Sequence, residues 1–493
     1  MVLKPRITES PQIRLIELKS KPFFTVASIE VGNTTTKCIL TATNMDTGMT
    51  YIVNKVVRMT RDVCPPKLGD TIFGKTLTGV ELTREAVAEL VCKTFTESME
   101  KANLDIKTDL NFVVRSTGVV ASFDSPEEVG EFIKALADGC LMAGVPPKNM
   151  TPPMSILNIS KKFQKYSKLE EVIFDGAVAG VMPPIGSTGI EIVANEMEGE
   201  LATAGIKEAA KLTDVDFRNP CISIDFGTTL DGRITSPDQP YAKTIGSFCG
   251  YAGAIPDAII RGSKEVDPKV GTALEIFENL KPPSFLTLAF ETKEIEEFSK
   301  RINELIIIEK VPKDRTRYGT VPVSSDAAEK VGVTLIGCDV GENGNDMCRL
   351  SDIGMEIYKT HGLQVAFAVI DNVMARVVCR LINVAREECL IFEDTTIGIT
   401  GRAGITGNKP KLILKYLEEM FHEPDIDERV VFTDDGLARG AAVMARCMNS
   451  LGSSKNPIGG RHGGKCILPQ RIKLQAKGTA KNSLRRYYAS RIE

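Results

Sequence analysis

Ser28-Ile29-Glu30-Val31-Gly32-Asn33-Thr34-Thr35-Thr36-Lys37 is the stretch from which the fold is read. The apolar run Phe23 to Ile29 delivers an acid to a tight, hydroxyl-rich turn, and a second β-like run, Cys38 to Thr43, carries the chain away. The pattern predicts a hairpin with a polar tip. There Gly32 lets the backbone come close to a ligand. The turn's N–H groups at Asn33 and the hydroxyls of Thr34, Thr35 and Thr36 suit phosphate oxygens, and Lys37 suits their charge. Glu30 would then hold hydrated Mg²⁺, a hard cation that takes oxygen ligands. Taken alone, the motif equally describes a plain hairpin.

A second copy changes that balance. Ile222-Ser223-Ile224-Asp225-Phe226-Gly227-Thr228-Thr229 repeats the pattern Ser-Ile-acid-x-Gly-x-Thr 195 positions later. Two such hairpins predict two halves of similar architecture facing one ligand. Gly227, Thr228 and Thr229 become a second phosphate turn, and Asp225 the organiser of metal or water. Asp231, the next acid, is expected at the surface.

Composition bounds the rest. The 493 residues are too many for one core, so two or three domains are expected, and 43% hydrophobic with 25% charged is ordinary soluble material. No run of about 18 apolar residues occurs and Met1 to Lys21 has no signal-peptide core, so the expected location is the cytoplasm, with no membrane partner. Twelve cysteines form no C-x-x-C pair, and Cys92, Cys140, Cys379 and Cys447 sit in apolar stretches, which reads as reduced core thiols. The three histidines are far apart and argue against a His-rich zinc site or a triad built on His.

In order, Met1 to Lys21 reads as a polar leader. Tyr51 to Arg58 alternates like a third strand, 64–79 reads as loop, and Glu85 to Ala102 has helical spacing. Asn111 to Arg115 resembles a strand, and Ser125-Pro126-Glu127-Glu128 starts a helix ending near Gly144. Ser155 to Ile159 suggests another strand, Asp175 to Gly180 is dense in small residues, and Gly189 to Leu212 is helical. Gly246 to Ala254 reads as a glycine-rich loop before a helix. Ile295 to Ile308 reads as helix within a mainly helical insertion, and Leu335 to Gly341 as a turn that mimics the acidic hairpins without their hydroxyls. Val365 to Arg386 is a long helix. Ile397 to Gly404 ends a strand in a glycine loop that can lie flat against a purine while Arg402 packs on its face. Lys409 to Met420 and Asp435 to Ala445 are helices around a strand at Val430 to Phe432.

In this order the motifs resemble the superfamily of sugar kinases, heat-shock chaperones and actin. The resemblance implies an α/β chain with a two-lobed actin-like ATPase fold, built from duplicated ribonuclease H-like lobes with ATP and Mg²⁺ in the cleft between them. On that pattern a leader (1–22) precedes an N-terminal lobe (23–182) and a C-terminal lobe (183–454) that carries the helical insertion near 264–330, and a basic tail (455–493) follows. Glu30 to Lys37 and Asp225 to Thr229 would be the two phosphate loops, with Glu30 and Asp225 toward the metal. Thr400, Gly401, Arg402, Ala403 and Gly404 would be the adenosine loop, and Asp175 to Gly180 and Asp435 to Ala442 the helices connecting the lobes. Glu30 departs from the usual Asp, and Thr400 from the usual Gly. As a whole the chain resembles the methanogenesis marker protein 14 family of methanogenic archaea, which implies a cellular setting rather than a reaction.

A kinase needs a base and an acceptor pocket, whereas an ATPase needs a positioned water and a way to export closure. No sugar-binding motif stands out. The loop around Cys249 is similar to the Cys-Ala-Ala-Gly loop of ATP-dependent activators of dehydratases, where a cysteine ligates an iron–sulfur cluster. No second cysteine follows before Cys338, so Cys249 reads as a buried thiol and no cluster is expected. The expectation is therefore an ATPase whose lobe closure drives assembly or reductive activation of a metallocofactor enzyme of anaerobic metabolism. A nucleotide-dependent scaffold and a small-molecule kinase are the alternatives. Lys455 to Glu493 holds ten Lys or Arg against one acid, leaving 1–454 at about −12 within a total of −3. Such a tail suits an acidic partner, RNA or the protein's own acidic body, or simply solvates the chain.

Overall fold

The computed structural model describes residues 4–20, 23–117, 126–150, 190–237, 244–277, 292–330 and 332–448. After β1 (Ile7–Thr8) and α1 (Leu15–Ser20), an antiparallel meander of β2 (Phe23–Val31), β3 (Thr35–Asn44) and β4 (Thr50–Met59) forms the first sheet. A small hairpin, β5 (Ile72–Lys75) and β6 (Glu81–Thr83), leads into α2 (Arg84–Lys101), whose first turn is capped by the Thr83 hydroxyl accepting from Ala86 N. Then β7 (Phe112–Thr117) joins β2 in parallel, giving the order β4-β3-β2-β7, and α3 (Pro126–Met142) follows.

β2 is buried on both faces, and its period of two divides its side chains between two cores. Ala27, Ile29 and Val31 pack beneath α2 and α3 with Phe95 and Phe132. Phe24 and Val26 point the other way, onto Leu201, Leu437 and Ala441. Each fully buried Ile or Val contributes about 1.5–3 kcal/mol, so the register is strongly fixed. That register also fixes Glu30: it lies on the face of Phe24 and Val26.

The second half repeats this logic. α4 (Ile190–Ala210) leads to a meander of β8 (Cys221–Phe226), β9 (Leu230–Thr235) and β10 (Thr244–Gly250). There follow α5 (Ala254–Arg261), α6 (Ala273–Phe277), α7 (Lys293–Asn303) and β11 (Ile306–Lys310). Next come β12 (Arg317–Tyr318), β13 (Val321–Pro322), α8 (Ser325–Lys330), β14 (Thr334–Val340) and α9 (Met347–Glu387), whose helical path breaks at Gly362 (φ 79°). β15 (Thr396–Thr400), α10 (Arg402–Ile405), α11 (Lys409–Phe421), β16 (Val430–Thr433) and α12 (Gly436–Met448) complete the described chain. The eight-stranded sheet runs β1-β16-β15-β8-β9-β10-β14-β11. Within it β10-β9-β8-β15 repeats the order and directions of β4-β3-β2-β7. Ile222, Ile224 and Phe226 of β8 face the core under α9 and α11, and Cys221 faces Ile206 of α4, so Ser223 and Asp225 share the face of Cys221.

α4 and α12 pack on each other between the two sheets, α12 against β2 and α4 against β8 and β9. Small residues permit their backbone contact: a Cβ on Gly205 would stand 1.7 Å from Gly436 O, and one on Gly440 1.9 Å from Leu201 O. Gly205→Ala would gain about 1 kcal/mol from helix propensity alone. Urea unfolding should instead register a loss of about 2 kcal/mol, because the methyl group meets backbone that cannot move aside.

Several expectations from sequence are corrected. Ile7 and Thr8, in the supposed leader, extend the second sheet beside β16, while Pro11 O accepts from Ile52 N at 2.9 Å, so the N-terminal segment ties both sheets together. Thr244–Gly250 is a buried strand rather than a loop; its Gly250 (φ 109°) serves a close strand approach, a Cβ there falling 1.9 Å from Cys338 O. The helix read over Ile295 to Ile308 ends at Asn303, and Ile306–Lys310 pairs with β14 as β-branched residues favour. Among the described residues of 264–330, helices and short strands both occur. Leu335 to Gly341 is mostly strand β14, and its Asp339 is spent on the turn that follows, accepting from Asn343 N at 2.8 Å and Gly344 N at 2.9 Å and pairing with Arg315. Cys249 is a buried thiol that burial holds well above its ordinary pKa. Ser155 to Ile159, Asp175 to Gly180 and the tail lie outside the described residues. Among the described residues no helix is long and apolar enough to cross a membrane.

Candidate functional site

Both hairpins carry their acids to one cavity between the sheets, lined by Glu30, Lys37, Asp225 and Asp231 among others. In the first hairpin Glu30 is the cross-strand partner of Lys37, and Lys37 Nζ donates to Glu30 Oε1 at 3.2 Å. Gly32 N donates to Thr35 O at 3.0 Å and closes the turn. Asn33 Oδ1 accepts from Leu77 N at 2.9 Å, which anchors the tip to the neighbouring loop. Gly32, Asn33, Thr34 and Thr35 all line the cavity. Thr36 does not: its side chain points to the opposite side of β3, where its hydroxyl meets that of Thr60 at 3.0 Å.

In the second hairpin Asp225 is the cross-strand partner of Asp231, so an acid stands where the first hairpin has Lys37. Gly227, Thr228 and Thr229 line the cavity. The tip is held by Gly253 N donating to Gly227 O at 2.7 Å and by Ala252 N and Ala254 N donating to Thr228 O. Across the cavity Thr228 Oγ1 donates to Thr34 Oγ1 at 2.7 Å, joining two turns 194 residues apart. Asp231, expected at the surface, is 5% exposed, with Oδ1 accepting from Gly232 N. Its polar Asp-Gly context misleads; the strand register decides.

Of the predicted adenosine loop, Gly401, Arg402 and Ala403 line the cavity. Gly401 (φ 85°) presses against the second hairpin, where a Cβ would fall 2.5 Å from Asp225 Oδ1. Thr400 and Gly404 lie behind the wall. The Thr400 hydroxyl accepts from Gly436 N at 3.1 Å at the start of α12, and Gly404 packs under Ile399 and Phe226. Sequence reasoning missed Asp257, Gln364, Asp371 and Lys409, which also line the cavity. Asp371 sits in the apolar run Ala366 to Val373, and a lone acid in such a run is the signal that announces a buried partner. That partner is Lys409, with Nζ 2.7 Å from Asp371 Oδ1.

The electrostatics are uneven. Five carboxylate side chains (Glu30, Asp225, Asp231, Asp257, Asp371) line the cavity against three cations, Lys37, Arg402 and Lys409. Burial pushes the Asp225 carboxyl up to about 7; Glu30 adds to this, Lys37 opposes it and Asp435 adds a further push. Burial pulls the Lys37 ammonium down, but Glu30, Asp225 and Asp435 outweigh it and leave it above its ordinary value. Burial likewise raises Asp257 to about 6, against hydrogen bonds from Ala273 N and the Thr272 hydroxyl, both 2.8 Å. Lys55, on the first sheet, pairs with Asp435 at 2.5 Å at the head of α12.

A carboxyl held above its unfolded value of 3.8 favours the fold most when protonated, so its contribution is complete below pH 3.8 and is lost as pH rises through about 7. The melting temperature of Asp225→Asn relative to wild type should therefore rise from pH 5 to pH 8. A difference that stays flat or turns negative in thermal melts contradicts the buried-charge account.

Beside the Lys37 ammonium, the carboxylates of Glu30 and Asp225 and the hydroxyls of Thr34, Thr35, Thr228 and Thr229 offer oxygen, the donor class of a hard divalent cation. Among the described residues no group of three or more His, Cys, Asp or Glu could cage a metal ion. An ion here would therefore keep waters and draw its remaining ligands from a phosphate.

The model of the family described as "Uncharacterized protein conserved in archaea (DUF2114)" matches residues 23–475. An uncharacterized protein of Methanocaldococcus jannaschii is 57% identical over 474 residues, covering 96% of each chain. One of Methanothermobacter thermautotrophicus is 52% identical over 491 residues, covering 96% of this chain and 90% of its own. Among solved structures, the Aquifex aeolicus member of the Ppx/GppA protein family aligns at 11% identity with a TM-score of 0.26, over 69% of this chain and 100% of its own.

Proposed function

This chain belongs to that archaeal family, and we propose that it binds ATP with Mg²⁺ in the cavity between its two acid-tipped hairpins and hydrolyses it. One observation carries the reading: two turns of the same pattern, distant in sequence, meet at the Thr34–Thr228 hydroxyl contact with an acid at the base of each. The matching strand order of the two sheets supports two related lobes of the actin-like ATPase kind, joined by α4 and α12. In the sequence α4 passes only as a helix before the second hairpin, yet it is the element paired with α12.

In this reading Glu30 and Asp225 hold the hydrated ion, which supplies charge neutralisation to the phosphates. Lys37 draws off negative charge, and the hydroxyls of Thr34, Thr35, Thr228 and Thr229 with the turn N–H groups position phosphate oxygens. Gly401, Arg402 and Ala403 form the wall for the base. Asp225, poised near neutrality, orients the attacking water and takes its proton. The acidic excess of the cavity supports a ligand that arrives with its own cation.

Closure of the lobes along α4 and α12 is the mechanical output. With relatives in methanogens, we place that output in the assembly or reductive activation of a metallocofactor enzyme of anaerobic metabolism. Calorimetric titration with ATP, with and without Mg²⁺, tests the binding step. Mg²⁺-dependent saturable binding is expected, and no binding under either condition rejects the proposal. Binding without phosphate release points instead to a nucleotide-dependent scaffold, and ADP formation only on addition of an acceptor to a kinase.

A further inference from the structure

Behind the hairpin tips lies a second cavity that shares Asn33, Thr34, Thr228 and Thr272 with the first. Its charge is of the opposite kind: Arg61 and Arg261 line it and no carboxylate does. Arg61 is already committed, donating to Val270 O at 2.7 Å and pairing with Glu275. Arg261, half-buried in the last turn of α5, is not. Its Nε donates to Gly271 O at 2.8 Å, and Asp257, Asp267 and Glu275 offset part of the cost of its burial, while neither Nη nitrogen makes a hydrogen bond or salt bridge among the described residues. Both Nη nitrogens are thus open to a ligand that enters the cavity.

Tyr251 lines the same cavity. Tyr251 is clamped between two glycines with positive φ: a Cβ on Gly319 would fall 2.5 Å from its ring and one on Gly344 2.5 Å from its hydroxyl. Met347 and Leu77 extend the apolar surface beside it. An apolar surface from Met347, Leu77 and the edge of Tyr251 in the same cavity as two open Nη donors suits a small molecule with one anionic end and a compact body.

We infer that this second cavity binds a small organic oxyanion, its carboxylate or phosphate on Arg261 and its body against Tyr251 and Met347. Binding itself stands on the cavity's own geometry. That the anion communicates with a bound nucleotide across the Thr34–Thr228 contact rests on the nucleotide reading above.

Calorimetry of the full chain without nucleotide, using acetate, succinate and inorganic phosphate as separate probes, tests the inference and distinguishes carboxylate from phosphate. At least one probe should bind saturably, and Arg261→Met should weaken it by about tenfold or more, as loss of a charge-assisted contact implies. The exposed, remote Arg301→Met should leave it unchanged. On the wild-type protein the same probe should protect Arg261 from phenylglyoxal, mapped by mass spectrometry, which keeps the test open if Arg261→Met fails to fold. No saturable binding by any probe, or binding and protection indifferent to Arg261, overturns it. ATP binding that persists in that case leaves the proposed function standing. Anion binding without ATP binding overturns only the proposed function.

Discussion

The Asp225→Asn protein should release phosphate from ATP about 10²–10³-fold more slowly than wild type, the usual cost of removing one preorganised charged group from a phosphoryl-transfer site. The substitution keeps shape and removes the charge that would hold the ion and accept the proton of water. Because the same carboxyl is raised to about 7 by burial and by Glu30, the variant should also melt higher than wild type at pH 8. A loss of turnover with a gain in stability is the signature of a group strained for function rather than placed for folding. If both fall together, Asp225 is structural.

The second large effect is expected in stability. Asp371 and Lys409 are 8% and 6% exposed, and their contact at 2.7 Å is one strand of a small network. Asp371 Oδ2 accepts from Asn408 N at 2.7 Å, and Lys409 Nζ donates further to Thr406 O at 3.2 Å. Asp371→Ala leaves the Lys409 ammonium buried with only neutral partners and orphans the Asn408 N–H. Removing one member of a buried pair costs about 3–5 kcal/mol. Asp371→Ala/Lys409→Met should recover most of that loss, since a well-packed apolar side chain replaces the uncompensated charge. Urea unfolding of the wild type, both single variants and the double variant measures the cycle. A single variant that loses under about 1 kcal/mol would mean that the pair is hydrated and of surface character.

The hairpins could be read from sequence because their signal is local: an alternating strand, an acid, a glycine turn with hydroxyls and a returning strand lie within about fifteen residues. Repetition of the pattern at Asp225 told more than either copy. Helices at Arg84–Lys101 and Lys409–Phe421 followed equally well from periodicity. What escaped depends on distant partners. Two residues at Ile7–Thr8 form a strand only because β16, more than 400 positions on, offers an edge. The glycines of β10 resemble loop glycines until the backbone of β14 is beside them. Asp231 and Asp371 look alike in composition to surface acids, and only sheet register and the Lys409 contact turn them inward. Thr36, Thr400 and Gly404 sit beside residues that line the cavity but face away from it.

The most direct test of the proposed nucleotide site is phosphate release from ATP by the purified chain with Mg²⁺ and no added acceptor, alongside Lys37→Ala. The account predicts measurable release that stops on chelation and falls by about 10²-fold in Lys37→Ala, while circular dichroism stays near wild type and the melting temperature drops, because Glu30 and Asp225 lose the charge that offsets them. Release that is absent in the wild type, or that proceeds unchanged without Lys37, contradicts it.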